Sequence, residues 1–125
     1  MSEIRGIGVD LCSIDRIEKA IQREHFKERV FTLQEIAYFT RNGKMSAESA
    51  AAMFAAKEAV AKALGTGFID GIMPEQIEVT HGESGAPGII LHGRAADKLR
   101  ELGGSEVHIS LSHESNNAIA FVVIS

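Results

Sequence analysis

Hydrophobic and polar positions along the chain change period several times, and each change marks an element. From Ile4 to Leu11 the period is two. Ile7, Val9 and Leu11 share one parity and Gly6, Gly8 and Asp10 the other, the pattern of a strand with two unlike faces. The glycines on the Asp10 face mark either a bulge or bend, or a place where another element comes close. Ser13 is placed to cap a short helix on which Ile14, Ile17 and Ile21 recur at helical spacing, with Arg16, Lys19 and Arg23 on the polar face. Thr32-Leu33-Gln34-Glu35 has the form of a capping box ahead of Ile36 to Phe39, with a stop near Gly43. Ser46 caps a longer helix that runs to Leu64 and stops at Gly65-Thr66-Gly67. Ile77 and Val79 predict a short strand, His81 to Gly85 and Gly85-Ala86-Pro87-Gly88 turns, and Ile89-Ile90-Leu91 another strand. Ala95 to Leu102 reads as a helix stopped by Gly103-Gly104. Val107, Ile109 and Leu111 then alternate with polar residues, and the apolar run Ala118–Ile124 follows a turn-rich His113 to Asn117. The last two segments predict an antiparallel hairpin whose final strand is buried. Helices fill the first half and most strands the second, so the class is α+β, with residues 1–125 as one domain.

Composition narrows the function. The 125 residues are 45% hydrophobic and 24% charged, the balance of a globular protein. No apolar run approaches the length of a membrane span, and the N-terminus lacks the basic and apolar regions of a signal peptide. A single cysteine, Cys12, excludes an internal disulfide and reads as a buried thiol. These features lead to the expectation of a cytoplasmic protein. The net charge of −4 disfavours general binding of nucleic acid, but it is an uneven average. Residues 1–62 carry ten basic and nine acidic side chains; residues 63–125 carry three and eight.

The Ser46–Leu64 helix is where chemistry can gather. Met53, Ala56, Val60, Ala63 and Leu64 form one apolar stripe, Glu58 and Lys62 lie opposite, and Lys57 stands at the stripe's edge, where a charge needs a partner. On spacing alone, Glu58 and Lys62 read as an i,i+4 surface ion pair. The alternative depends on the many alanines, which allow close packing. If this helix crosses the glycine-bearing face of the first strand, Asp10 and Glu58 converge, and two carboxylates are a usual protein contribution to Mg²⁺ bound with phosphates. Gly65-Thr66-Gly67 is not a phosphate loop of the Walker type and on its own is a helix stop. His113 follows Ser112 at a strand end that can reach a cleft, but adjacent strand residues point apart, so the two are no catalytic pair.

In order along the chain, Gly6-Ile7-Gly8-Val9-Asp10-Leu11, Arg16-Ile17, Phe54-Ala55-Ala56-Lys57-Glu58-Ala59, Lys62-Ala63-Leu64-Gly65-Thr66-Gly67 and Ser110-Leu111-Ser112-His113 resemble the holo-[acyl carrier protein] synthase family, the small bacterial type of 4′-phosphopantetheinyl transferase. The resemblance implies helices packed on a mainly antiparallel sheet and a Mg²⁺-dependent reaction serving fatty acid biosynthesis. In it, the 4′-phosphopantetheine arm of coenzyme A moves to a serine of apo acyl carrier protein, releasing adenosine 3′,5′-bisphosphate. By the same resemblance Asp10 and Glu58 are metal carboxylates, and Lys57 stands beside that glutamate as a catalytic residue. Lys62 contacts coenzyme A phosphate, Gly65, Thr66 and Gly67 form the turn against the nucleotide, and His113 lies near the phosphates. Arg16 meets the acidic helix of the carrier protein, and Lys19 and Arg23 extend that patch. The general base stays open between Glu58 and a metal-bound water with Glu58 or Asp10 as acceptor. The family's small members are homotrimers with active sites between subunits. Met53 departs from the pattern, since many relatives carry an arginine there for coenzyme A phosphate; either Arg41, Lys44 or a basic residue from another subunit substitutes, or affinity for coenzyme A is lower. Two other readings suit the same residues: a Mg²⁺-dependent phosphohydrolase, and a non-catalytic coenzyme A or nucleotide-binding module.

Overall fold

The structure is a computed structural model that describes residues 3–125; Met1 and Ser2, the start of the segment read above as lacking a signal peptide, lie outside the described residues. In chain order the elements are β1 (Gly6–Ser13), α1 (Ile14–Ala20), α2 (Glu24–Val30), α3 (Leu33–Phe39), α4 (Ala47–Ala63), a 3-10 turn (Pro74–Gln76), β2 (Ile77–His81), β3 (Pro87–Leu91), α5 (Gly93–Glu101), β4 (Val107–Glu114) and β5 (Asn117–Ile124). The α+β class is as expected. A three-stranded antiparallel sheet has the order β1-β5-β4, and β2 pairs with β3 in a second, two-stranded sheet. The anticipated hairpin joins β4 to β5, closing between Glu114 and Asn117 with Ser115 at a φ of 56°.

The glycines of β1 mark a close approach, not a bend. A Cβ on Gly6 would lie 2.1 Å from the carbonyl oxygen of Ala63, and one on Gly8 would lie 2.0 Å from that of Ala59. The backbone of α4 therefore lies directly on the glycine face of β1. The buried residues Ala118, Ala120, Val122 and Ile124 of β5 continue the floor beneath it. Ten of the 17 residues of α4 are buried, on more than one face. The single stripe expected from the sequence is thus incomplete, because a helix enclosed on several sides is apolar nearly all round. Ala50, Ala51, Ala55, Ala59 and Ala61 are fully buried between the sheet and the flanking helices.

Three caps follow the sequence. Ser13, Thr32 and Ser46 each accept a backbone N–H three residues on, and Glu35 closes the capping box by accepting from the N–H of Thr32. Helix α2 has no sequence signal, since Arg23 provides no side-chain cap and the stretch is polar. The last strand is a correction: β5 alternates. Its Ile119 and Phe121 face outward beside Ile7, Val9 and Leu11 of β1, and these five are between 39% and 62% exposed. An unbroken apolar run fits a strand with two apolar faces as well as one buried on both.

Candidate functional site

Asp10 sits between Gly8 and Cys12 on the inner face of β1, aimed along α4. Lys62, at the C-terminal end of α4, donates from Nζ to Asp10 Oδ1 at 3.0 Å and to the Val9 carbonyl oxygen at 3.0 Å. It therefore reaches across to the strand, in place of the Glu58 pairing that helical spacing allows. The Glu58 carboxyl is pushed above its ordinary pKa first by burial and then by the Asp10 charge, with Lys62 opposing. Two carboxylates and an ammonium thus share one place, and the partial neutralisation leaves room for a further cation. Among the described residues no group of three or more His, Cys, Asp and Glu side chains gathers. A pair of carboxylates fits Mg²⁺, which keeps several waters and completes its shell with phosphate oxygens.

The turn after α4 begins three residues beyond Lys62. Ala61's carbonyl oxygen accepts from the N–H of Thr66 at 3.4 Å and of Gly67 at 3.1 Å, and Gly65 and Gly67 both have positive φ, a glycine-dependent helix end. The Thr66 hydroxyl donates to the Gly67 carbonyl oxygen at 2.9 Å. Asp10, Glu58 and Lys62 are therefore together, and the turn follows Lys62 by three residues.

Lys57 is not with them. It is 1% exposed, and its Nζ donates to Glu35 Oε1 at 2.8 Å, the Pro74 carbonyl oxygen at 3.0 Å and the Ile77 carbonyl oxygen at 2.7 Å. Burial pulls its pKa down while Glu35 holds it up, and three acceptors around one nitrogen match an ammonium with three hydrogens. A direct catalytic role for Lys57 does not fit this placement. Its charge at the edge of the stripe found its partner inside the protein.

His113 also stands apart. Its Nδ1 lies 3.0 Å from Glu48 Oε2, at the first turn of α4, and ten residues of helix, about 15 Å at 1.5 Å per residue, separate Glu48 from Glu58. Arg41 and Lys44 join Glu48 around a cleft of about 410 Å³ at that end. Met53, where the resemblance leads one to look for arginine, is 1% exposed and lines none of these clefts.

Arg16, Lys19 and Arg23 converge as expected. They edge a cleft of about 420 Å³ whose apolar wall includes Ile17, Phe26 and Phe54. Arg23 lies over the Phe26 ring at 5.8 Å, and the Phe26 and Phe54 rings are 6.1 Å apart. Phe54 is one helical turn before Glu58, so this cleft opens beside the carboxylates. A second cleft of about 340 Å³ continues past Arg23 and Phe26 to Arg29 and Met73. Phe26, Arg29 and Met73 carry no sequence signal for this surface, because α2 is uncapped and polar and nothing else places them on it. Cys12 lines the first cleft only at its floor; burial is the main cause that pushes its thiol up to about 11, so it stays protonated.

Residues 6–122 match the sequence model of the 4′-phosphopantetheinyl transferase superfamily. The chain is 44% identical over 123 residues to the holo-[acyl-carrier-protein] synthase of Halorhodospira halophila, covering 97% of each chain. It is similar to the crystal structure of the Neisseria meningitidis holo-[acyl-carrier-protein] synthase, with a TM-score of 0.85, 37% identity, and 98% of this chain and 99% of that one covered. The Helicobacter pylori holo-[acyl-carrier-protein] synthase, solved in complex with coenzyme A, matches with a TM-score of 0.80 and 34% identity over 95% of this chain and 99% of that one.

Proposed function

The chain belongs to the 4′-phosphopantetheinyl transferase superfamily and, within it, to the holo-[acyl carrier protein] synthases, and from this premise we propose how its residues carry out the transfer. The substrate pair is coenzyme A and apo acyl carrier protein. The serine oxygen of the carrier forms a bond to the phosphorus that bears pantetheine. The pyrophosphate bond to that phosphorus breaks, and adenosine 3′,5′-bisphosphate leaves with the electron pair. Asp10 and Glu58 hold Mg²⁺, which when bound offsets charge on the pyrophosphate. Lys62 sets its ammonium against the phosphates, and the Gly65–Gly67 turn lies along the nucleotide. The serine proton is taken up at the Asp10–Glu58 carboxylate pair. Arg16, Lys19 and Arg23 draw in an acidic helix of the carrier, whose apolar side chains meet Phe26 and Phe54.

The same premise leads to a homotrimer with shared sites, working in the cytoplasm in fatty acid biosynthesis. One feature supports the sharing. The outer face of the β1-β5-β4 sheet is apolar and exposed, a surface that a neighbouring copy would cover. In that arrangement His113, Arg41 and Lys44, at the Glu48 end of α4, serve the Asp10 of a neighbouring copy.

The observation that carries the proposal is the convergence of Asp10, Glu58 and Lys62 beside the cationic cleft. Mass spectrometry of apo acyl carrier protein tests it. The carrier gains the phosphopantetheine mass only with coenzyme A, Mg²⁺ and this protein together. Asp10→Asn and Glu58→Gln each lower the rate by at least about a hundredfold, the scale set by losing a charged group from a phosphoryl-transfer site, with unchanged circular dichroism. An unmodified carrier, or full activity in either folded variant, overturns the assignment. Phosphate release without carrier would point to a phosphohydrolase instead.

A further inference from the structure

The segment that follows α4 has an unusual backbone. Gly65, Gly67, Asp70 and Gly71 all have φ of +60° to +85°, and Asp70 is the one non-glycine among them. Glycine-rich backbone of this kind has many conformations open to it, so its shape must come from outside. One end is fixed by the close of α4 and the other by the buried Ile72. Between them lies exposed chain at Ile69, Asp70 and Gly71.

Arg94 of α5 grips that stretch. Its Nε donates to the Asp70 carbonyl oxygen at 3.4 Å and its Nη2 to Asp70 Oδ2 at 3.0 Å, so one guanidinium holds both the main chain and the side chain of the left-handed residue. Its Nη1 donates to Glu101 Oε2, two turns further along the same face of α5, which keeps the fork turned toward the loop. Gly71 suits its φ of +84°, and its Cα side faces the arginine stem, since a Cβ there would meet Arg94 Cγ at 3.6 Å, an ordinary van der Waals contact. Gln76 is a second strap: it donates from Nε2 to the Gly71 carbonyl oxygen at 3.2 Å and accepts from the Ala95 N–H at 3.1 Å, fixing α5 and the loop to the same turn. A planar fork that bonds a carboxylate and a carbonyl together orients what it holds in a way a point charge does not.

We propose that Arg94 is a positioning residue for coenzyme A, holding the 65–72 segment in the conformation in which the Gly65–Gly67 turn receives the nucleotide. This rests on the assignment of that turn to coenzyme A above. Arg94 itself touches neither substrate; it acts through Asp70.

The test compares the wild type with Arg94→Gln, Arg94→Lys and Asp70→Asn, the last keeping a residue that tolerates positive φ. Two readouts are taken: amide hydrogen exchange of peptides spanning 65–72 without coenzyme A, and the transfer kinetics. Arg94→Gln is expected to speed exchange in that segment and to raise the KM for coenzyme A about fivefold to tenfold, while kcat and the KM for carrier protein stay within about twofold. Asp70→Asn behaves alike, and Arg94→Lys recovers part of the loss. Unchanged exchange shows that Arg94 does not order the loop and overturns the proposal. Faster exchange with an unchanged KM for coenzyme A overturns it differently, by showing that the turn does not meet the cofactor. A parallel fall of kcat, both KM values and melting temperature assigns Arg94 a general structural role, and overturns it as well.

Discussion

Lys57 and Glu58 are neighbours, about 100° apart around α4, and that rotation sends them to opposite environments. Glu58 emerges beside Asp10, where burial and the neighbouring carboxylate hold its charge at some cost. Lys57 enters the core, where the Glu35 carboxylate, which also accepts from the N–H groups of Thr32 and Val79, joins α3, α4 and β2 into one network. Among the described residues no buried polar side-chain atom is left without a partner, so this network is complete. Removing one member of such a pair leaves a buried charge uncompensated. Lys57→Met is expected to lower stability by about 3–5 kcal/mol. Urea denaturation measures the loss, and transfer assayed per folded molecule should keep at least about half its rate, since a group acting only through folding leaves kcat of the survivors unchanged. A large loss of kcat in a fully folded variant would instead place Lys57 in the chemistry. The sequence made the charge visible but not its partner. Glu35 reads as half of a capping box, and that second duty is set by how α3 lies against α4 and β2.

At the scale of elements, the packing of β1 on α4 decides whether a site exists. Gly6 and Gly8 let the strand touch the helix backbone, and that contact sets Asp10 opposite Glu58 and Lys62. Gly8→Ala would drive a methyl to within 2.0 Å of the Ala59 carbonyl oxygen, an atom that moves only if the whole helix moves. The expected result is a loss of about 1–3 kcal/mol, measured by thermal or urea denaturation, and a fall in kcat even below the melting transition, because β1 and α4 separate where the carboxylates meet. An unaltered rate in the folded variant would mean that the separation of Asp10 and Glu58 is not critical. This contact was legible as one of two alternatives, since period two put both glycines on the Asp10 face and the alanines marked a helix able to approach. The outward face of β5 was not legible. Ile119 and Phe121 look like core in a sequence and become surface only once α4 is known to cover the other side. Helix α2 was missed because nothing caps it and its polar residues face a cleft, and with it went Phe26 and Arg29.

At the scale of the whole molecule, the net charge of −4 conceals a sorted arrangement. Arg16, Lys19 and Arg23 stand on one side of the carboxylates, Lys62 among them, and Arg41, Lys44 and His113 at the far end of α4. In the proposed assembly, which covers the apolar outer sheet, the third group of one chain meets the first two of another. A shared site makes a prediction that a self-contained one does not. Asp10→Asn and His113→Ala are each expected to be poorly active alone. Co-expressed with different tags and purified as mixed assemblies, they should regain transfer, because some sites then pair an intact Asp10 from one chain with an intact His113 from another. Phe121→Glu, which sets a charge in the middle of the exposed apolar sheet face, should give monomers by sedimentation and abolish the regain when added to both chains. Mixed assemblies no more active than their parents would place His113 outside the site.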